Sequence, residues 1–195
     1  VKPYYEQSGV TIYHGDCREI LPLPCDAVVT DPPYPDYHVD AFRYAPGLLD
    51  CLREVPARQL IFWSAKATFP LDYSAVHVWD KETPVTPYER IFERHGGVSY
   101  RVFRHQFVNN RVLARFHQDE WTGHPSQKPQ TLMRALVTWM TDEGELVLDP
   151  FCGSGSTLKA AKRLGRRAIG IEINERYCEI AARRLQQEVL PLEVA

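Results

Sequence analysis

The stretch "ELVLDPFCGSGSTLKAAKRLGRRAIGIEI", residues 145–173, decides the fold. An apolar run (145–149) leads through a glycine-bearing loop into "TLKAAKRL" (157–164), which stops at Gly165; a second apolar run follows at 167–173. Gly165 has the place of a C′ residue, where a helix ends in a left-handed turn. Strand, loop, helix and strand at this spacing form a βαβ crossover, and runs that do not alternate suit parallel strands covered on both faces. Four more runs rich in β-branched and aromatic residues read as strands, at 10–15, 26–30, 58–64 and 75–79. Helical spacing puts Leu132, Met133, Leu136, Val137 and Met140 on one face of a helix, with Pro129 as its first residue and Gly144 just past its end. Tyr177, Ile180, Ala181 and Leu185 form a similar stripe over 175–186. The fold class expected is α/β: a doubly wound, mostly parallel sheet, in one domain over residues 1–195.

Composition narrows the classes further. The chain of 195 residues carries a net charge of −2, so no overall basicity announces a nucleic-acid partner, and any such surface must be a local patch. No apolar run approaches the roughly 20 residues that span a bilayer, and the N-terminus has no signal-peptide layout. Five scattered cysteines without a C-x-x-C pair speak against a disulfide framework and a zinc site, and fit a reducing, cytoplasmic setting. No metal is expected.

The loop "LDPFCGSGST" (148–157) lies where doubly wound folds bind ligands, at the carboxyl end of a strand. Gly153 and Gly155 let the backbone approach a ligand closely. Three details exclude phosphate-binding versions of such a loop. Leu158 replaces the third glycine of the dinucleotide fingerprint, and G-K-[ST] is missing. Asp149, at the strand end, would repel a pyrophosphate but suits a cationic amine. Glu172 ends the next strand, 17 residues after Gly155, where an acidic side chain accepts from ribose hydroxyls. A ligand with an amine, a ribose and no phosphate is S-adenosylmethionine.

A second corner, "DPPY" (31–34), follows the strand at 26–30. Two prolines force an extended backbone and remove two donors. What remains is a rigid set of acceptors, the Asp31 carboxylate and the Pro32 carbonyl, suited to a planar –NH2 group. Tyr34 offers a face for stacking the ring that bears the amine.

With "DPPY", "HPSQKP" (124–129) and "LDPFCGSGST" in this order, the chain resembles the amino-group DNA methyltransferases that act on adenine N6 or cytosine N4, in their circularly permuted beta group. "YHGDC" (13–17) and "GIEIN" (170–174) complete the likeness. The resemblance implies a Rossmann-like methyltransferase fold and a tetrad of Asp31, Pro32, Pro33 and Tyr34. It implies transfer of a methyl group from S-adenosylmethionine, leaving S-adenosylhomocysteine, to a base flipped out of duplex DNA. By the same resemblance Asp16 contacts the cofactor adenine, Lys128 is a candidate partner for its carboxylate, and Phe151, Ser154 and Thr157 belong to the cofactor loop with Gly153 and Gly155. Members with "DPPY" lean to adenine N6 and those with "SPPY" to cytosine N4, so adenine is the expected target and cytosine the alternative. RNA or protein-glutamine enzymes of this chemistry usually carry the cofactor loop before the tetrad. A non-catalytic methyltransferase-like subunit is a further alternative, against which the intact Asp31, Tyr34, Asp149 and Glu172 stand. A second copy of the chain and a cognate restriction enzyme are candidate partners, and no membrane is.

One departure from the family is the short span between tetrad and "HPSQKP". Residues 94–117 carry five arginines, three histidines and no acidic residue. The alternation there and "NN" at 109–110 suggest an antiparallel insertion with a hairpin, a candidate DNA-recognition element. Arg101, Arg104, Arg111 and Arg115 are candidate DNA contacts over a packing of Tyr100, Phe103 and Phe107. His38, in a loop expected to close over the flipped base, is another.

Overall fold

In the computed structural model the described residues are 1–36, 44–83, 87–105, 122, 124 and 126–186. Each run expected to be a strand is one. β1 (Tyr5–Gln7) and β2 (Val10–His14) form a hairpin; α1 (Cys17–Ile20) follows, then β3 (Ala27–Thr30), a 3-10 turn (Asp50–Leu52), β4 (Arg58–Trp63) and β5 (Ala75–Asp80). β6 (Tyr88–Arg94) and β7 (Val102–Arg104) precede α2 (Gln130–Met140), β8 (Leu146–Asp149), α3 (Ser156–Arg163), β9 (Arg167–Glu172) and α4 (Glu175–Gln186).

The nine strands lie in one sheet in the order β1-β2-β9-β8-β3-β4-β6-β5-β7. From β2 to β4 all neighbours are parallel, and the whole of β3 is buried. β6 runs antiparallel between β4 and β5. That reversal matters for the site: the first residues of β6, not its last, reach the edge where the parallel strands end.

Both faces are covered, but unequally. The stripe on α2 packs with Leu158, Ala161 and Ala181 of α3 and α4 in one apolar cluster with Val29, Leu60 and Phe62. Burying each large side chain there contributes about 1.5–3 kcal/mol. Opposite, Val28, Ile61, Trp63 and Leu148 are covered by Leu49, Leu52, Val55, Phe69 and Leu71, from the 3-10 turn and irregular chain around it.

Several expectations need correction. Pro129 is the N-cap of α2 and not its first helical residue, with ψ 137°. α2 ends at Met140, and Gly144, at φ +83°, belongs to the turn into β8. Gly165 does end α3: its N–H donates to the Lys162 carbonyl and that of Arg166 to the Ala161 carbonyl, the pairing that closes a helix through a left-handed residue. The basic segment divides. Arg94 is the last residue of β6 and is buried, and β7 pairs parallel, not antiparallel, with β5. Tyr100 stands 76% exposed, so it packs beneath nothing, whereas Phe103 does pack against the core. Phe107, the hairpin at 109–110, His38, Arg111 and Arg115 lie outside the described residues.

Candidate active site

The carboxyl ends of β2, β9, β8 and β3 open on a cavity of about 210 Å³. It is lined by Asp16, Asp31, Pro32, Pro33, Tyr34, Lys128, Asp149, Phe151, Gly153, Ser154, Thr157 and Glu172, so twelve of the thirteen residues expected for catalysis and cofactor share one wall. His124, Ser126 and Gln127 of "HPSQKP" line the same space.

Gly155 is the exception. It sits at φ +78°, and a Cβ there would stand 3.0 Å from Ala181 Cβ, so its task is to turn the loop against α4. Gly153, at φ +48°, has His124 above it, with Nε2 2.9 Å from where a Cβ would be. Its N–H donates to Glu172 Oε2 at 2.9 Å, and Asn174 N–H donates to Oε1 at 2.8 Å. Glu172 therefore holds the loop that it faces; with Ile173 N–H as a third donor, its carboxylate keeps capacity for one ligand hydroxyl.

Asp149 is buried. Its Oδ1 accepts from the Thr30 hydroxyl at 2.6 Å and from Phe151 N–H at 3.2 Å, yet burial still pushes its carboxyl up to about 6. Such a carboxylate favours a cation beside it. Burial likewise pushes the His124 imidazole down to about 4, which keeps it neutral against Tyr177, 4.6 Å away between ring centres. Asp16 caps α1 by accepting from Arg18 N–H, and its carboxylate also pairs with the Arg18 guanidinium.

The tetrad differs from the bare acceptor site expected. Tyr34 Oη donates to Asp31 Oδ1, and Lys128 Nζ donates to Oδ2 at 2.5 Å. Lys128 thus lies on the Asp31 carboxylate, where the sequence suggested a cofactor carboxylate as its partner. Burial raises the Asp31 carboxyl against the pull of Lys128, while Asp31 and Glu89 together hold Lys128 charged above its usual range despite burial. The Tyr34 ring meets Trp63 edge to face at 5.6 Å, and a stacking partner must slide against its face.

Of the arginines, Arg104 ends β7 at the same edge of the sheet, four strands from β3 and so roughly 19 Å away. It is exposed, with Nε 3.5 Å from Asp80. Arg101 lies over Trp139, 4.6 Å from the ring centre, and Arg58 makes a second guanidinium contact with the same residue at 4.5 Å. That stack ties Arg101 into the packing of α2.

A family model described as DNA methylase matches residues 50–183. The chain belongs to the DNA methylase family. Type II methyltransferase M2.DpnII of Streptococcus pneumoniae is 49% identical over 71 residues, 36% of this chain and 26% of the relative. DNA adenine methyltransferase YhdJ of Escherichia coli (strain K12) is 40% identical over 87 residues, 43% of this chain and 30% of the relative. These matches therefore span less than a third of the curated relatives. A solved structure, the M1.HpyAVI–SAM complex, superimposes with a TM-score of 0.64 at 25% identity, over 91% of this chain and 100% of that one.

Sequence reading missed four buried groups of the site. Thr30 bonds Asp149, and Arg184 of α4 donates to the Ser154 carbonyl at 2.5 Å. Glu89 and Lys81 stand behind the tetrad, with Nζ and Oε1 2.5 Å apart. A signal existed for Glu89, since "YERIFER" has strand-like length and aromatics, but four charges in seven residues masked it.

Proposed function

We propose that the protein transfers a methyl group from S-adenosylmethionine to the exocyclic N6 amine of adenine in duplex DNA. The observation that carries this is that Asp31, on a proline-stiffened corner, lines the same cavity as Asp149 and Glu172. S-adenosylmethionine supplies an electrophilic sulfonium methyl. The donor set suits it: buried carboxylates for a cationic amine and ribose hydroxyls, and a glycine at the one place where a Cβ would strike His124.

In this reading Asp149 and Glu172 hold the cofactor, Thr30 and Arg184 hold the carboxylate and loop that do so, and Asp31 accepts a hydrogen bond from the base amine. That bond orients the nitrogen lone pair toward the methyl group and raises its nucleophilicity. The N–C bond forms as the S–C bond breaks, and the amine then loses one proton. The target must leave the stack to reach Asp31, so flipping belongs to the reaction. Arg104 and the segment after it are our choice for DNA contacts, in a single domain over residues 1–195. The cytoplasm, where DNA and cofactor meet, is the compartment this reading requires. A cognate restriction enzyme and a second copy of the chain belong to the same proposal, the latter because the recognition segment is short.

Titration calorimetry with S-adenosylmethionine, then labelled methyl transfer to duplex DNA and to RNA with mass spectrometry of the nucleosides, tests this. N6-methyladenine in DNA is the expected product. N4-methylcytosine would change the target base, labelled RNA beside inert DNA would overturn the substrate, and failure to bind cofactor would favour a non-catalytic subunit.

A further inference from the structure

Two carboxylates, not one, converge on the corner at 31–34. Glu89 is the second residue of β6 and, through the reversed direction of that strand, reaches the edge of the sheet where Asp31 stands. Its Oε2 lies 3.3 Å from Tyr34 Oη and 3.3 Å from Lys128 Nζ, and both of those donors also bond Asp31. Its Oε1 receives Lys81 Nζ at 2.5 Å. These side chains are nearly enclosed: 14% of Glu89, 6% of Lys128 and 7% of Lys81 is exposed. Asp31 and Glu89 balance Lys81 and Lys128 in charge.

The arrangement poses a problem for any amine that enters. An amine that takes an oxygen of Asp31 competes there with Tyr34 or Lys128, which already donate one bond to each oxygen. A donor displaced into this enclosed space without another acceptor would be left unsatisfied, at a cost comparable to the bond gained. Glu89 already stands within reach of both donors. We propose that Glu89 is a positioning residue for methyl transfer, receiving Tyr34 and Lys128 as the amine takes Asp31, with Lys81 fixing Glu89 in place. The proposal rests on the reading of Asp31 given above and names the residue that frees it.

Charge gives the role a signature. The groups facing Asp31 are Lys128 from the segment before α2, Tyr34 from its own corner, Glu89 from β6, Lys81 from the end of β5 and Asp149 from β8. Glu89 opposes ionisation of Asp31 and shares the Lys128 charge with it. Without that charge Asp31 holds Lys128 unshared and titrates at lower pH; without Lys81 the Glu89 charge is less balanced and Asp31 titrates at higher pH.

Glu89→Gln and Lys81→Met test this, with 13C NMR of the Asp31 carboxyl and steady-state kinetics on duplex DNA. Glu89→Gln is expected to lower kcat about tenfold or more while the Kd for S-adenosylmethionine stays within about twofold. Its Asp31 titration and the acid limb of its kcat profile should move to lower pH, whereas Lys81→Met should move both to higher pH. Opposite shifts are something a general loosening of the fold does not produce. Equal kcat, or an Asp31 titration that neither variant moves, overturns the proposal. If Glu89→Gln does not fold, the direction of the Lys81→Met shift decides alone. A wild-type protein inert on DNA would sink the substrate reading, and the carboxyl titration would still decide this one.

Discussion

The sheet from β2 to β3 and the sheet from β4 to β7 deal with charge in contrasting ways. In the first, strand interiors are apolar and parallel, and charged groups stand at the carboxyl ends: Asp149, Glu172 and, just past β3, Asp31. In the second, charges lie within the strands and are met by neighbouring polar groups. Glu93 of β6 takes Arg58 at 2.6 Å and His77 at 2.9 Å; Arg94 donates to Asp72, Gln59 and the Leu52 carbonyl. The apolar half leaves its end carboxylates with a capacity for a ligand, as the raised Asp149 shows, while the charged half has spent its capacity on itself. Asp31 stands at the boundary: its strand belongs to the first half, and Glu89 and Lys81 reach it from the second.

The sharpest way to break this division is at that boundary. Asp31→Ala should reduce methyl transfer on the order of 10³-fold and leave cofactor affinity within about twofold by calorimetry. A parallel loss of affinity would mean that Asp31 serves the cofactor half instead. Next in size, Arg94→Met should lower stability by about 3 kcal/mol in urea unfolding, because it strands the acceptors of a buried cation. Cofactor affinity measured on the folded variant should not change.

A smaller effect sharpens the contrast through pH. Because burial raises Asp149 from 3.8 to about 6, the unliganded fold binds this proton more tightly than the unfolded chain. Its contribution to stability is therefore full below about pH 4 and lost as pH rises through about 6. A cationic ligand wants the opposite form, so affinity for S-adenosylmethionine should weaken about tenfold from about pH 7 to about pH 5. Asp149→Asn should flatten that dependence in calorimetric titrations. Smallest of all, Arg104→Ala should leave the melting temperature unmoved, its ion pair with Asp80 being exposed. If Arg104 meets a phosphate, the slope of DNA affinity against salt should fall by about one.

The same contrast governs what could be read from the sequence. β2, β3, β8 and β9 declared themselves through apolar runs, and the loop at 148–157 and corner at 31–34 through residues whose backbone constraints are local. β6 hid because Glu89, Arg90, Glu93 and Arg94 make it look like a solvated segment; only the fold supplies the partners that let these charges be buried. β1 and β7, three residues each, are too short to show a period. The expectation for Tyr34 was incomplete, since proline chemistry says nothing of its hydroxyl, which bonds Asp31.

Arg184 has a consequence for the order in which the protein is made. Its Nη1 grips the carbonyl of Ser154 in the cofactor loop, yet it emerges from the ribosome long after the corner at 31–34. At a synthesis rate of 5–20 residues per second, roughly eight to thirty seconds separate Tyr34 from Arg184. β3 likewise waits for β8 to arrive as its neighbour. Throughout that interval a nascent chain carries the corner at 31–34 without a secured loop at 148–157. A chain released before α4 would lack that clamp, so the helix at 175–186 must be made before the loop at 148–157 is secured.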